Sequence, residues 1–202
     1  MKVAVLGASG RAGSEITQEL AARGHQVLAV ARKPEAIAAA PGVTAVAGDA
    51  SDPAALAELI KGSDAVISAL HFDVSADTLL SALRQAGVGR LLVTGGAASL
   101  EVAPGVRLID TPDFPEEWKV FAQGGIAFLD ALRGETGIDW TFFSPAAFIF
   151  EGPRTGAFRL GGDQLVVDDA GDSKISFADY AIAMVDELEQ HRHARARFTA
   201  AY

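Results

Sequence analysis

Residues 1–16, MKVAVLGASGRAGSEI, contain the pattern that decides the fold. The apolar run Lys2–Leu6 predicts a short strand, residues 7–13 follow with glycines spaced G-x-x-G-x-x-G, and Ile16 starts a helical spacing of apolar residues. Glycine turns also serve as plain connectors, but a strand, a glycine turn and a helix in this order favour a βαβ unit whose turn approaches a pyrophosphate. The predicted dinucleotide site consists of Gly7, Ala8, Ser9, Gly10, Arg11, Ala12 and Gly13.

The composition indicates one globular domain, residues 1–202. Half of the residues are hydrophobic, and a chain of 202 residues leaves little room for a separate substrate domain. The formal charge of −9 argues against a nucleic-acid partner, and no apolar run approaches the roughly 20 residues that cross a membrane. The basic tail 191–197 is the exception to the acidic balance and is predicted to be a solvated connector.

The chain contains no cysteine, which excludes disulfides and thiolate chemistry, and no metal site is predicted. A strand pattern stands at the start in place of a charged and then apolar leader. We therefore expect a cytoplasmic location.

Apolar strand patterns alternate with helical patterns along most of the chain. The predicted strands are 2–6, 26–31, 43–47, 65–69, 90–94, 139–144, 164–167 and 196–200. Asp52 is predicted to cap a helix that starts at Pro53, and Ser176, with Asp179 three residues on, a helix over 177–190. Strands that alternate with helices predict the α/β class, with a Rossmann-type, doubly wound, mostly parallel sheet covered by helices on both faces.

Arg32 follows the second predicted strand, 19 residues after Gly13. At this position an acidic residue holds the ribose 2′-hydroxyl of NAD, whereas an arginine suits the 2′-phosphate of NADP. The alternative is an ordinary surface arginine that begins the next helix. Arg32 predicts NADP(H) as the preferred cofactor, with NAD(H) possible.

Several motifs together resemble the atypical short-chain dehydrogenase/reductases. They are the turn GASGRAG at 7–13, GDASD at 48–52, GSDAVI at 62–67 and DWTFFSP at 139–145. The stretch 96–105, GAASLEVAPG, is similar to the small NAD(P)H-flavin reductase group of that family, which is related to NmrA-like and biliverdin reductase B-like proteins. The resemblance covers the whole chain.

The resemblance implies further cofactor contacts where the strands end. Asp49 and Ala50 would pass beside the adenine ring, and Pro145 would close over the nicotinamide after the sixth strand. The ends of the fourth and fifth strands would line the crevice between them, where ligands bind in open α/β sheets. These residues are Ala69, Leu70, His71, Thr94 and Gly95.

The chain departs from the family at its proton donor. Active members carry Y-x-x-x-K on the helix after the fifth strand, but Tyr180 and Tyr202, the two tyrosines here, lie far downstream. Lys119 is a candidate for the lysine that contacts the nicotinamide ribose, with a solvated helix lysine as the alternative, and Ser99 and His71 are the other catalytic candidates. Because carbonyl reduction depends on a positioned acid, alcohol dehydrogenation is not expected.

Hydride transfer to a flavin or quinone has a different requirement, since the protein mainly positions two planar rings. Phe72, Trp118 and Phe148 are predicted to line the acceptor pocket, although such residues more often belong to the core, and residues 146–176 are expected to form its substrate side. The sequence predicts an NAD(P)H-dependent oxidoreductase acting on a small planar acceptor, with flavin as substrate rather than bound cofactor. The alternative is an NmrA-like NADP sensor without turnover.

Overall fold

The computed structural model describes all 202 residues and contains twelve strands, eight of which form one sheet. In chain order the strands are β1 Lys2–Leu6, β2 Gln26–Ala31, β3 Val43–Ala47, β4 Ala65–Ser68, β5 Arg90–Thr94, β6 Glu101–Ala103, β7 Val106–Arg107, β8 Asp139–Ser144, β9 Phe148–Phe150, β10 Arg159–Gly161, β11 Lys174–Ser176 and β12 Ala196–Ala201. The pairs β6/β7 and β9/β11 form two small sheets of their own.

Five α-helices cover the large sheet. They are α1 Arg11–Ala22, α2 Pro53–Ile60, α3 Ala76–Ala86, α4 Lys119–Arg133 and α5 Phe177–Gln190. Both predicted caps are present. The Asp52 carboxylate accepts hydrogen bonds from the first-turn amides of α2, and Ser176 Oγ accepts one from the Asp179 amide at 3.0 Å. None of the five helices combines the length and the apolar character that crossing a bilayer requires.

The strand order of the large sheet is β10-β12-β8-β5-β4-β1-β2-β3. All neighbours are parallel except β10, which runs antiparallel to β12. The chain winds outward from β1 to β3 and then crosses back to β4, so the winding direction reverses between β1 and β4. In open α/β sheets this reversal leaves a crevice at the carboxyl ends of the strands, where ligands bind. The predicted doubly wound α/β fold is confirmed.

Two apolar layers bury the two faces of the sheet. Helices α1 and α5 cover one face, and α2, α3 and α4 cover the other. Consecutive residues of β8 pack into opposite layers. Phe142 belongs to the layer under α2, α3 and α4, whereas Phe143 belongs to the layer under α1 and α5 and stacks on Tyr180 and Phe198 at centroid distances of 4.0 and 4.1 Å. Tyr180 is therefore a core residue, as its helical position predicts.

Residues 164–167 do not form the predicted strand. Gln164 makes one isolated bridge to Glu101, and Arg159–Gly161 supplies the edge strand instead. The sequence pattern at 164–167 does not predict the edge strand correctly. Which segment pairs with β12 depends on how the chain packs beside β12, and the local sequence does not show this. The helix after the fifth strand, which the sequence suggests from about residue 113, begins as α4 only at Lys119, after a 3-10 turn over Glu116–Trp118.

The basic tail 191–197 is the predicted solvated connector only in part: residues 191, 192, 194 and 195 are exposed between α5 and β12, but two other side chains have acidic partners. His193 Nδ1 lies 2.7 Å from Oε2 of the buried Glu187, and Arg197 is buried within β12. The acidic partner of His193 is the buried Glu187, and that of Arg197 is the exposed Asp163; counting charges along the chain reveals neither pairing.

Candidate functional site

The glycine turn between β1 and α1 is packed so closely that two of its glycines have no room for a side chain. Gly7 has φ +77°, a left-handed conformation that favours glycine, and a Cβ there would lie 2.6 Å from the Ala69 carbonyl oxygen. A Cβ on Gly13 would overlap the Gly7 carbonyl oxygen. The turn, the end of β4 and the first turn of α1 therefore contact each other through backbone atoms.

The remaining glycine of the motif, Gly10, is less closely packed than Gly7 and Gly13. A Cβ there would meet only the Gly7 carbonyl oxygen, at 3.3 Å. Helix α1 has no side-chain cap, and the amides of Arg11 and Ala12 find no acceptor within the chain. Free N–H groups at the positive end of a helix beside a space without side chains suit an anionic pyrophosphate. The residues present thus fit the dinucleotide that the fold implies.

Arg32 and Asp49 lie beside this turn, at the ends of β2 and β3. The Val30 carbonyl accepts hydrogen bonds from the amides of Gly7 and Ala8 at 2.9 and 3.1 Å. Arg32 lies two residues after Val30 and is therefore close to the turn. Asp49 Oδ1 accepts from the Ser51 amide at 2.9 Å, and this bond, with a smaller contribution from the charge of Arg32, holds the pKa of Asp49 below its ordinary value. Arg32 is an exposed cation where the sequence predicts the 2′-phosphate contact.

The ends of β4, β5 and β8 meet at the same edge of the sheet. Gly95 donates its amide to the Phe143 carbonyl at 2.8 Å, and a Cβ on Gly95 would overlap the Phe142 ring, so this glycine serves packing. Thr94 and Pro145 are partly exposed beside it. The structure therefore brings the strand-end candidates Ala69, Leu70, His71, Thr94, Gly95 and Pro145 to one edge.

A cavity of about 870 Å³ opens at the carboxyl ends of β4 and β5. His71 and Phe72 line this cavity. They follow Ala69, whose carbonyl oxygen is packed against Gly7, so the cavity adjoins the dinucleotide turn. The segment 108–126 forms the outer wall. Of the expected substrate-side region 146–176, Ala147 alone lines the cavity. Its aromatic lining residues are Phe72, Phe114, Trp118 and Phe121.

Phe72 is held in place by the inner wall of the cavity. Its ring centroid lies 5.6 Å from that of Phe128 and 6.3 Å from that of Phe142. Two glycines of α4 allow this packing, because a Cβ on Gly125 would lie 2.8 Å from the Phe72 ring and one on Gly124 would lie 3.3 Å from the Phe72 Cβ. Trp118, by contrast, is 58 % exposed at the mouth of the cavity.

Two of the predicted site residues do not reach the cavity. Phe148 is exposed on β9 and stacks on Phe150 at 5.8 Å, outside the lining. Lys119 Nζ pairs with Glu116 Oε2 at 2.6 Å and lines a more polar adjoining cavity. Trp118 and Lys119 are consecutive residues at the start of α4, and helical geometry turns consecutive side chains about 100° apart. Trp118 therefore faces the apolar cavity while Lys119 faces the polar one.

The two other catalytic candidates do line the cavity. His71 is exposed there, and Ser99 Oγ accepts a hydrogen bond from Arg197 Nη1 at 3.1 Å. Neither tyrosine reaches it. The Tyr180 hydroxyl donates to the Phe143 carbonyl at 2.8 Å in the core, where burial raises its pKa, and the Tyr202 hydroxyl donates to Asp179 Oδ2 at 2.7 Å.

Sequence reasoning missed Phe121, Gly125 and Arg197. Phe121 and Gly125 lie in a helix whose apolar pattern does not distinguish a core face from a cavity face. Arg197 could have been noticed, because it interrupts the apolar strand ARFTAA at 196–201. A charged residue inside a buried strand requires a partner of opposite charge or a polar contact.

Comparison with known proteins agrees with this geometry. A family model described as NAD(P)H-binding matches residues 7–191. An uncharacterized Bacillus subtilis protein, YwnB, is 43 % identical over 210 residues, which cover 98 % of this chain and 97 % of the relative.

Two solved structures have the same fold over the whole chain. A Burkholderia pseudomallei protein, provisionally named an exported protein, is 46 % identical with a TM-score of 0.90 and full coverage of both chains. A Streptococcus pneumoniae protein, provisionally named an NADH-flavin reductase, is 35 % identical with a TM-score of 0.84, and the match covers 100 % of this chain and 99 % of that one. The family model spans most of the chain, and the protein is therefore a member of the NAD(P)H-binding family, with a Rossmann-type fold.

Proposed function

We propose that this protein is an NADPH-preferring reductase that transfers hydride to a small planar acceptor such as a flavin or a quinone. The observation that carries the proposal is the apolar cavity beside the dinucleotide turn, which is lined by four aromatic residues and contains neither tyrosine nor lysine. Such a cavity suits a flat ring and offers no tyrosine–lysine pair for alcohol chemistry.

The cofactor half of the site would be held by the backbone and by one cation. The free amides at the start of α1 suit the pyrophosphate, and Arg32 suits the 2′-phosphate. When bound, the dihydronicotinamide group supplies the hydride. Ala69 and Leu70, which leave no room for a side chain at Gly7, and the Thr94–Gly95 strand end would keep the ring at the edge of the cavity.

The acceptor half would work by positioning. Phe72 is packed against Phe128 and Phe142, and Trp118 is an exposed lining residue, so a ring could be held between a packed inner wall and an exposed aromatic side chain. Stacking places the acceptor close to the hydride donor and excludes water, while solvent can protonate the heteroatoms of the reduced acceptor later. No side-chain acid is required for this transfer. Flavin would enter and leave as a substrate.

Two further facts support the proposal. The Streptococcus pneumoniae relative carries a name for NADH-flavin reduction, and it is similar over the whole chain. The exposed arginine at the end of β2 favours the phosphorylated cofactor over NADH in the present chain.

Steady-state oxidation of NADPH and NADH tests the proposal, with FMN, riboflavin and 2-methyl-1,4-naphthoquinone as acceptors. We expect turnover with at least one acceptor and a higher kcat/KM for NADPH than for NADH. Calorimetry of NADP binding is run in parallel. Tight NADP binding without turnover on any acceptor would contradict the reductase and favour the NADP sensor.

A further inference from the structure

Arg197 is a buried charged residue on β12, and it takes no part in the hydride transfer proposed above. Its side chain is 4 % exposed, although its ion-pair partner Asp163 is 66 % exposed. Arg197 Nε donates to Asp163 Oδ1 at 2.7 Å, and Nη2 also contacts the same carboxylate. The remaining branch of the guanidinium, Nη1, donates to Ser99 Oγ at 3.1 Å. One end of the arginine thus holds a carboxylate near the surface, while the other reaches the cavity wall.

The chemistry of the guanidinium determines how the Ser99 hydroxyl is oriented. Arginine carries only donors, so in this contact Ser99 Oγ must be the acceptor. The hydroxyl proton of Ser99 then points away from Arg197. It has no acceptor within the chain, and Ser99 lines the cavity. A hydroxyl that accepts from a cation is also a stronger donor, because hydrogen bonds in a chain polarise one another.

Asp163 balances the positive charge of the Arg197 guanidinium. Its carboxylate pairs with Nε and Nη2 of Arg197, while Nη1 contacts Ser99, so the Ser99 hydroxyl at the cavity is backed by a balanced ion pair. An uncompensated arginine would attract anions, whereas a neutral donor suits a neutral acceptor atom. The Asp163 backbone is fixed as well, since its carbonyl accepts from the Glu101 amide at 2.9 Å.

We propose that Arg197 is a positioning residue that makes Ser99 a hydrogen-bond donor for a carbonyl oxygen on an uncharged planar ligand. The proposal rests on the proposed function and narrows it: of the planar acceptors, the cavity selects those with a carbonyl beside the ring, as in quinones and flavins, and prefers neutral ones. Ser99 touches the ligand, and Arg197 acts through Ser99.

Ligand binding tests this proposal without turnover. Calorimetry on the NADP-saturated protein compares 1,4-naphthoquinone with naphthalene, which has the same ring frame and no oxygen. We expect Ser99→Ala to weaken naphthoquinone binding about fivefold, the worth of one hydrogen bond, and to change naphthalene binding less than about twofold. Ser99→Thr, which keeps the hydroxyl, should retain most of the naphthoquinone affinity.

A double-mutant cycle separates positioning from plain structural support. Arg197→Met should weaken naphthoquinone binding about fivefold in the wild-type background and have almost no further effect in the Ser99→Ala background. Arg197→Lys, which still donates to Ser99, should restore part of the affinity. Arg133→Met is the matched control, because Arg133 is an exposed arginine paired with Asp130 and does not line the cavity.

Charge selection gives a second readout. Asp163→Asn leaves the Arg197 charge uncompensated, so binding of 1,4-naphthoquinone-2-sulfonate should strengthen relative to neutral naphthoquinone by about fivefold. An unchanged ratio would contradict the charge-balancing role of Asp163.

Three outcomes would overturn the proposal. They are unaltered naphthoquinone binding in a folded Ser99→Ala variant, equal losses for naphthoquinone and naphthalene, and additive effects of the Ser99 and Arg197 replacements. Absence of naphthoquinone binding to the wild-type protein would also overturn it. The proposed function is judged separately by NADPH oxidation, so either idea can fail while the other stands. If Arg197→Met does not fold, as circular dichroism would show, Ser99→Ala and Asp163→Asn still decide the matter.

Discussion

The turn at residues 7–13 and the cavity wall at 108–126 lie at the same edge of the sheet but are built in opposite ways. In the turn, backbone atoms touch backbone atoms, and Gly7 and Gly13 leave no space for a Cβ. In the wall, Val120 and Phe121 are each 76 % exposed and contact little else. A pyrophosphate is the same in every dinucleotide, so the turn that would bind it can be rigid. A wall of exposed side chains can differ between proteins that reduce different acceptors.

The most disruptive way to test this comparison is to place a side chain inside the turn. Gly13→Ala adds a Cβ that overlaps the Gly7 carbonyl oxygen, and neither backbone segment can move without disturbing β1 or α1. We expect a loss of about 3 kcal/mol in the free energy of unfolding, at the upper end for overpacking. Urea denaturation followed by circular dichroism measures it. Unfolding at the wild-type midpoint would mean that the turn is looser than its contacts indicate.

Gly10→Val should remove cofactor binding while sparing the fold. Gly10 has φ −79° and ψ 168°, which valine adopts readily, and its Cβ would meet only the Gly7 carbonyl oxygen at 3.3 Å, a contact that a shift of a few tenths of an ångström relieves. We expect the affinity for NADP to fall more than about a hundredfold, because the valine fills the space that the pyrophosphate needs.

Gly89→Val is the matched control for this variant. Gly89 is exposed, and a Cβ there meets nothing within 4 Å. Normal NADP binding by a folded Gly10→Val protein would show that the dinucleotide lies elsewhere.

On the cavity side, Trp118→Ala should reduce kcat/KM for a planar acceptor by about thirtyfold, since an aromatic platform is removed from the mouth. Phe148→Ala serves as the control. It removes an aromatic ring of similar exposure that lies outside the cavity, and we expect less than about a twofold effect. NADPH oxidation with the best acceptor provides the measurement. If the two variants behaved alike, the cavity would not be the acceptor site.

The smallest expected effect concerns the choice of cofactor. Arg32→Ala should weaken NADP binding about tenfold and leave NAD binding unchanged, because in the proposed site the arginine would contact only the 2′-phosphate. Lys33→Ala, the replacement of a neighbouring exposed cation, should affect the two cofactors equally. Calorimetry with both cofactors decides it. Equal affinities for NAD and NADP in the wild-type protein would refute the predicted preference.

The cofactor half of the site could be located from sequence because its residues are close in the chain. Gly7, Gly10 and Gly13 form a short motif whose spacing follows from one turn and one helix start, and the backbone contacts in the structure explain Gly7 and Gly13. Arg32 could be placed because it directly follows the second strand pattern, 19 residues after Gly13, and the structure ends β2 at Ala31. Backbone geometry dominates here, and it depends little on distant side chains.

The acceptor half could be predicted only in part. Phe72 and Trp118 were expected from their nearness to strand ends, but Phe148 was placed in the pocket by the same argument and lies outside it. The argument gives the edge of the sheet at which a residue emerges. It does not give the direction of the side chain, which the pairing of β9 with β11 decides.

By itself, then, the sequence determined the βαβ start, the doubly wound sheet, the glycine cradle and the absence of a tyrosine–lysine pair. Only the tertiary structure decided which way Trp118 and Lys119 face, which segment forms the wall of the cavity, and that Arg197 reaches Ser99 across 98 residues of chain. The physical reason is the sequence separation of the residues that interact. Turns, caps and strand periodicity arise from neighbouring residues, whereas a cavity wall and a buried ion pair exist only after distant segments have packed together.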